Sequence, residues 1–257
     1  MQAALLNEVA ANAIVAVLTA VATVLVSRIL RLRTRWQLAR VFGRSETTKV
    51  QIIVGIWSTS PSPDGQYRMD KMSPSSERES VPFIGVPEMV ARADVSASTV
   101  IADALSSISG VSANAAFDVG NMDLSEATVI VGSAISNDAV KDLLDALAVS
   151  NENRVPLTMQ GKRSDPRETI FTAARSGETY KSNESLEYAT IVRYANPFSR
   201  DRRGKIVLVS GHFANGTLLA AEYFRDNWKR LFGSRRDGVI ISTPRGRHGP
   251  VMIETYL

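Results

Sequence analysis

The sequence contains no cysteine among its 257 residues. This absence excludes disulfide bonds, thiolate metal sites and thiol nucleophiles. Histidine is scarce too, since His212 and His248 are the only two. We find no order of nucleophile, histidine and acid, and no spaced pair of metal ligands. The sequence therefore predicts no metal site and favours a protein that is not an enzyme.

The chain also lacks a basic surface outside one short segment. Its formal net charge is +4, but residues 28–49 alone carry +6 and residues 50–257 sum to −1. A domain without excess positive charge is not typical of proteins that bind nucleic acid. Basic residues beside a membrane each contribute about 1 kcal/mol to binding of anionic headgroups. We therefore predict a lipid bilayer as a partner, and no nucleic acid.

Charge is absent again from residues 9–26, which read VAANAIVAVLTAVATVLV. An apolar run of about 18 residues can cross a hydrocarbon core about 30 Å thick as a helix. The residues expected beside the membrane follow it directly: Arg28, Arg31, Arg33, Arg35 and Trp36. Because a Lys/Arg excess marks the cytoplasmic side, we predict a single-pass protein of the inner (plasma) membrane. Its N-terminus lies outside and its C-terminal domain in the cytoplasm.

A cleaved signal peptide is the alternative interpretation of this N-terminus. It requires a positive segment before the apolar run and a small-residue cleavage site after it. The first charged residue is instead Glu8, and arginines stand where cleavage would occur, so we interpret the run as a retained anchor. Ala16 and Ala20 form a small-xxx-small pair. This pair indicates either close helix packing in a homo-oligomer or simple tolerance of alanine in a membrane helix.

Beyond the basic segment, apolar strands alternate with Gly/Ser/Asn turns and helices. We predict an anchor over residues 1–28, a basic juxtamembrane segment over 29–48 and a cytosolic domain over 49–257. Strands are expected at 49–57, 127–131, 205–210, 238–242 and 251–255, helices at 138–149 and 218–232, a hairpin of 169–173 with 188–194, and polar loops at 58–80 and 150–168. This order indicates an α/β fold, with a Rossmann-like, mostly parallel sheet and helices on both faces.

Three small polar loops follow predicted strands and are candidates for a ligand site. Ligands of open α/β sheets bind outside the carboxyl ends of the strands, where helix N-termini favour negative charge. The candidate ligand-binding residues are Ser58 and Thr59 in the first loop, Gly132, Ser133 and Asn137 in the second, and Gly211, His212, Asn215, Gly216 and Thr217 in the third. No cofactor is required by the sequence, and a nucleotide-like ligand, held by its phosphate or ribose, is the expected occupant.

The third loop has the glycine spacing of a phosphate-binding loop, Gly211-x-x-x-x-Gly216-Thr217. Thr217 stands where that motif has its lysine, which argues against ATP hydrolysis by that mechanism. The glycines serve either a ligand or tight strand–helix packing, and Asn137 serves either a ligand or the N-cap of the following helix. Glu222 is a candidate nucleophile or base, or else a solvent-facing helix residue. His212 is a candidate acid–base group, although a lone histidine is usually not catalytic.

The segments ATVIVGSAISNDAVKDLL and YATIVRYANPFSRDRRGKIVLVSGHFANGTLLAAEYF, within residues 127–232, resemble a Rossmann-like domain of prokaryotes. Related patterns occur in bacterial proteins of unknown function and in C-terminal modules of archaeal surface-layer proteins. The stretch from Gly216 to Glu222 is also similar to nucleotide-binding domains of the lysine-decarboxylase-like and deoxyribosyltransferase-like groups. Their Pro-Gly-Gly signature is absent here. The resemblance implies a nucleotide-binding fold rather than a particular reaction.

Three functions are consistent with these features. The first is a membrane-anchored cytosolic module that binds a nucleotide-like ligand or a partner and acts by oligomerising at the inner membrane, as in prokaryotic signalling. The second is a nucleoside or NAD-type N-glycosidase or transferase that uses Glu222. The third is a structural membrane-surface scaffold. We expect the first, because a spanning helix with small residues is joined to a domain without a complete catalytic set.

Overall fold

A seven-stranded sheet forms the centre of the fold in a computed structural model. The structure describes residues 2–43, 47, 49–61, 67–69, 88–90, 92–108, 110–116, 125–133, 137–149, 155–162, 165–199, 204–232, 236–245 and 251–257. In chain order the elements are α1 (Gln2–Phe42), β1 (Lys49–Val54), β2 (Ile56–Pro61), β3 (Tyr67–Met69), β4 (Glu88–Val90), α2 (Arg92–Ser106), β5 (Ser112–Ala116), β6 (Thr128–Val131), α3 (Asp138–Val149), β7 (Leu157–Lys162), β8 (Asp165–Ala173), β9 (Thr179–Lys181), β10 (Leu186–Ala195), β11 (Lys205–Gly211), α4 (Ala214–Leu231), β12 (Gly238–Pro244) and β13 (Met252–Tyr256).

The order of strands in the central sheet is β13-β12-β10-β11-β6-β1-β5. The neighbours β5, β1, β6 and β11 pair in parallel. Antiparallel pairing joins β11 to β10, β10 to β12 and β12 to β13. Five of the seven strands therefore run in one direction. This confirms the predicted mixed α/β class with a mostly parallel sheet.

Helices cover both faces of this sheet. On one side, here called the helical face, α2 and α4 bury residues such as Ile101 and Phe224 against Val129 and Val207. The other side, here called the mixed face, is covered by α3 and by a small antiparallel sheet of β7, β8 and β9. Strands β3, β2 and β4 form a third sheet. Strand residues alternate between the two faces because successive side chains point to opposite sides.

The helix α1 is continuous over 41 residues, which corresponds to about 60 Å. Its segment Ile14–Phe42 is long and apolar enough to cross a membrane, and the most apolar 18-residue stretch within it has a mean hydropathy of 2.0 and is 0 % buried. A signal sequence meets the same criterion of length and composition. The apolar side chains between Ile14 and Leu32 are exposed on all sides of the helix. An uncovered apolar helix requires lipid or another apolar surface around it.

The last turn of α1 is part of the core of the domain. Leu38, Val41 and Phe42 are buried against the helical face of the sheet. The Arg193 guanidinium donates to the carbonyl oxygen of Arg40. It also forms an ion pair with Asp237 at 2.6 Å. Residues 38–42, within the predicted juxtamembrane segment over 29–48, therefore pack with the domain.

Most central elements follow the sequence prediction, but α4 begins at Ala214 rather than at Leu218, so Asn215, Gly216 and Thr217 lie in its first turn and not in a loop. The other errors fall in the two small sheets. α3 spans the predicted residues, and β6, β11 and β12 begin within one residue of the predicted starts. The single strand predicted over 49–57 is divided at Gly55, so that Ser58 and Thr59 lie in β2 rather than in a loop. The predicted loop 150–168 was wrong because it contains β7. The predicted hairpin was also wrong, since β8 pairs with β7 and β9.

Candidate functional site

The carboxyl ends of the parallel strands form one edge of the central sheet, here called the carboxyl edge. The predicted second and third loops leave β6 and β11 side by side at this edge, where the Gly132 N–H donates to the carbonyl of Val209 at 3.0 Å. The antiparallel strand β10 begins at the same edge, because Leu186 pairs with Pro244 at the end of β12. Residues from four strands therefore meet there.

The second loop is held by internal contacts. Gly132 has a φ of +111°, a conformation that other residues adopt only with strain. The Oδ1 atom of Asn137 accepts from the Ala139 N–H at 2.9 Å, as expected of a helix N-cap. Its Nδ2 group points to the carbonyls of Val131 at 2.9 Å and Ile53 at 3.5 Å. Asn137 therefore joins the ends of β1 and β6 and caps α3, as the N-cap interpretation of this residue predicts.

In the third loop the two glycines are in close contact. A Cβ atom at Gly211 would lie 2.3 Å from the backbone nitrogen of Thr217 and 2.4 Å from the carbonyl carbon of Gly216. The Thr217 hydroxyl accepts from the Gly211 N–H at 3.2 Å. Tight packing of strand β11 against the start of α4 therefore requires glycine at position 211, independently of any ligand.

A carboxylate of the chain occupies the N-terminus of α4. No side chain caps this helix at Phe213. Instead Oε1 of Glu187, from β10, accepts from the Gly216 N–H at 2.6 Å. Glu187 is 1 % exposed. The position at which the third loop was expected to bind a ligand phosphate therefore already holds a negative group.

Glu187 was not among the predicted site residues. Burial raises the pKa of its carboxyl, while hydrogen bonds from the Gly216 and Phe213 N–H groups and the charge of Arg245 oppose the shift. The available signal was an acidic residue inside the otherwise buried strand LEYATIVRYA. Because a buried carboxylate needs a partner, that signal predicts a nearby donor, but the chain does not indicate which one.

His212 lies on the mixed face and is fixed by Ser182. Its Nδ1 atom accepts from the Ser182 N–H at 3.1 Å and from the Ser182 hydroxyl at 2.5 Å. The Ser182 hydroxyl in turn accepts from the Tyr188 N–H at 2.8 Å. The Phe171 ring packs against the imidazole with centroids 4.0 Å apart. Two donors at Nδ1 leave the proton of the neutral imidazole on Nε2.

Three buried polar atoms without a partner lie on the same side as this histidine: its own Nε2 and the hydroxyls of Ser210 and Thr169. The other two such atoms among the described residues lie elsewhere, the side-chain carbonyl oxygen of Gln51 at the start of β1 and the hydroxyl of Thr243 on the helical face. Ser210 and His212 are two residues apart on the mixed-face side of β11. Thr169 lies one position beyond the pair of Ile170 with Lys181, which places it opposite Ser182. Buried polar groups are normally hydrogen-bonded. The set of Ser210, His212 and Thr169, here called the polar pocket, therefore indicates a place for a polar partner.

The remaining candidates lie apart from the polar pocket. Glu222 is about 140° around α4 from Thr217, which faces the sheet, so it does not point to the carboxyl edge. Asn215 is exposed at the first turn of α4, and Ser133 is half-buried beside Gly132. His248 lies outside the described residues. Within the described part of the chain, no three His, Asp or Glu side chains form a group that could hold a metal ion.

The titration of His212 gives a testable pH dependence. Burial lowers its pKa from 6.5 to about 4. The folded state binds this proton less tightly than the unfolded chain does. The free energy of unfolding therefore has its full value above about pH 6.5 and decreases as the pH falls towards 4. We expect a loss of about 2 kcal/mol at pH 5 from this residue.

Thermal unfolding of the wild type and His212→Asn at pH 7.5 and pH 5 isolates this contribution. The wild type should lose more stability on acidification than the variant. Asp94, whose pKa burial raises to about 6, acts in the opposite direction but is present in both proteins, so its effect cancels. Equal losses in the two proteins would contradict a buried neutral His212.

No protein-family model matches the chain, and no curated protein matches it. The functional interpretation therefore depends on the geometry of the carboxyl edge and of α1.

Proposed function

We propose that this chain is a membrane-anchored module that binds a small nucleotide-like ligand at the carboxyl edge of its central sheet. In this proposal the domain faces the cytoplasm at the inner membrane, and ligand binding controls assembly with further copies of the chain. The function is recognition and signalling rather than catalysis.

The polar pocket is the observation that supports ligand binding. Ser210, Thr169 and His212 each bury a polar atom that has no partner within the described residues. They are 0 %, 4 % and 5 % exposed. An unpaired buried polar group costs about 1–3 kcal/mol, and three of them at the edge where α/β sheets bind ligands favour a bound molecule. Glu222 faces away from this edge, so the N-glycosidase alternative gains no support.

The side chains of α1 support the proposed membrane anchor. The hydroxyls of Thr19 and Thr23 donate to the carbonyls four residues earlier, each at 2.8 Å, so these polar groups are satisfied within the helix, as a bilayer requires. The four arginines from Arg28 to Arg35 are exposed and follow the apolar run directly. Trp36, which is 60 % exposed, stands where aromatic residues mark the interface.

Calorimetry on the full-length protein in lipid nanodiscs tests the ligand. We expect at least one member of a panel of nucleotides and nucleosides to bind, and binding to increase the assembly size in detergent. The full chain is required because the last turn of α1 belongs to the core. Failure of every panel member to bind would contradict the proposal. A discrete ring or filament of constant size without ligand would favour the scaffold alternative.

A single introduced cysteine tests the orientation, because the natural chain has none. Val149 is 85 % exposed at the end of α3, so Val149→Cys provides a unique label on the domain. In spheroplasts we expect a membrane-impermeant maleimide to label it only after lysis. The control Gln2→Cys should be labelled in intact spheroplasts. The reverse pattern would place the domain outside.

A further inference from the structure

The tautomer of His212 determines what kind of group its ring can bind. Both Ser182 donors point to Nδ1, so Nε2 carries the proton and acts only as a donor. No described residue accepts from this Nε2–H group, and the side chain is 5 % exposed. A partner of His212 must therefore offer a hydrogen-bond acceptor.

The neighbouring hydroxyls extend this requirement. Ser210 lies two residues before His212 on the same side of β11, about 7 Å away along the strand. Thr169 approaches from β8, opposite Ser182. Hydroxyls both donate and accept. The set thus suits a ligand group that carries its own hydroxyls or ring nitrogens.

The surrounding charge disfavours a phosphate in the same place. The contacts of His212 are with Ser182, Phe171 and Tyr188, all uncharged, and burial lowers its pKa so that the ring stays neutral at pH 7. Burial raises the pKa values of Tyr180 and Tyr188 on this face, and the charge of Glu254 adds to both shifts. At the start of α4, Glu187 already accepts from the helix. The His212 ring therefore offers no positive charge to an anion, and the guanidinium of Arg245 lies over the Phe213 ring instead.

We infer that the polar pocket takes the uncharged nucleoside part of a ligand, with the His212 Nε2–H group donating to an oxygen or ring nitrogen of that part. This inference rests on the proposed function and specifies which part of the ligand this face recognises. The phosphate, where a ligand has one, lies outside the polar pocket.

The test is calorimetry on the full-length protein in nanodiscs with four nucleosides (adenosine, guanosine, cytidine and uridine) and their monophosphates. His212→Asn removes the Nε2–H donor, while its amide oxygen still accepts from Ser182. Ser210→Ala removes one pocket hydroxyl. The matched control is Thr243→Val, which removes an unpaired hydroxyl on the helical face, where Thr243 pairs with Glu187.

We expect a nucleoside to bind the wild type, and His212→Asn and Ser210→Ala to weaken binding by about tenfold each, the effect of one hydrogen bond. The dissociation constant of Thr243→Val for the nucleoside should stay within about twofold of the wild-type value. Thermal unfolding at pH 7.5 checks that each variant is folded. If His212→Asn does not fold, Ser210→Ala alone decides the test.

The other outcomes separate the two proposals. Binding of monophosphates without binding of nucleosides would overturn the inference and leave the proposed function intact. Nucleoside binding that both pocket variants leave unchanged would overturn it too, since the ligand would lie elsewhere. Absence of binding by every compound would overturn the proposed function as well.

Discussion

Replacing Leu38 with alanine is expected to lower the free energy of unfolding of the domain by about 3 kcal/mol. Leu38 belongs to the long apolar helix α1, but it is 2 % exposed and packs in the core on the helical face. Truncation removes the transfer energy of the side chain and leaves a cavity. In a domain of this size the thermal midpoint should fall by about 6–12 °C. Thermal unfolding of the protein in nanodiscs, followed by intrinsic fluorescence, measures the change.

Leu32→Ala is the matched control, because it makes the same chemical change on the same helix. Leu32 is 66 % exposed and lies before the part of α1 that contacts the domain. Its replacement should shift the midpoint by no more than about 2 °C, since surface substitutions cost about 0.5 kcal/mol or less. Equal effects of the two substitutions would contradict the packing of the last turn of α1 on the sheet.

This packing connects the apolar run of α1 to the sheet without a flexible linker. From Val26, at the end of the apolar run, to Leu38 the helix rises about 18 Å. Arg193 then holds the end of the helix through the Arg40 carbonyl and is itself paired with Asp237. A rotation of the domain must therefore rotate α1, or break these contacts.

The parts of the fold that the sequence predicted well carry strong local signals. β6 and β11 are runs rich in β-branched residues that are buried on both faces; Gly132 follows β6, and β11 ends at Gly211. α3 has an N-cap at Asn137 and apolar residues at helical spacing. These signals depend on neighbours within a few residues, so one sequence is sufficient to identify them.

The small sheets were missed because their signals are not local. β7 reads LTMQGK, in which only Leu157 and Met159 are apolar, so the alternation of apolar and polar residues is short. Its strand structure depends on pairing with β8 and on burial of Leu157 against the mixed face. β-Propensity is strongly dependent on such context. The break at Gly55 is equally invisible in an apolar run that continues to Trp57.

The sequence predicted which loops lie together at the carboxyl edge, but not which side chains surround them. The loops after β6 and β11 do meet at the carboxyl edge, as the topology rule requires. Their predicted polar residues are largely used inside the fold, as Asn137 and Thr217 show. Glu187 and Ser182 complete the site from β10 and from the segment after β9. Their roles depend on pairing over about 30 residues, which no local pattern contains.

Gly216→Ala is expected to destabilise the domain by about 3 kcal/mol, although alanine is normally preferred to glycine in a helix. A Cβ at this position would lie 2.6 Å from Oε1 of Glu187. The carboxylate must then leave the N-terminus of α4, which costs its charge-assisted hydrogen bond to the Gly216 N–H and strains the packing. Thermal unfolding of the variant measures the loss.

A double-mutant cycle with Glu187→Ala identifies the cause. Without the carboxylate, the nearest remaining atom to the new Cβ is the Gly211 Cα at 3.2 Å, a tight contact that a small shift relieves. Gly216→Ala should therefore cost no more than about 1 kcal/mol in the Glu187→Ala background, which gives a coupling of about 2 kcal/mol. Equal costs in both backgrounds would mean that Glu187 does not hold the start of α4. The backbone N–H groups there would then be free for a ligand phosphate, and the glycine loop would regain the role that its spacing first indicated.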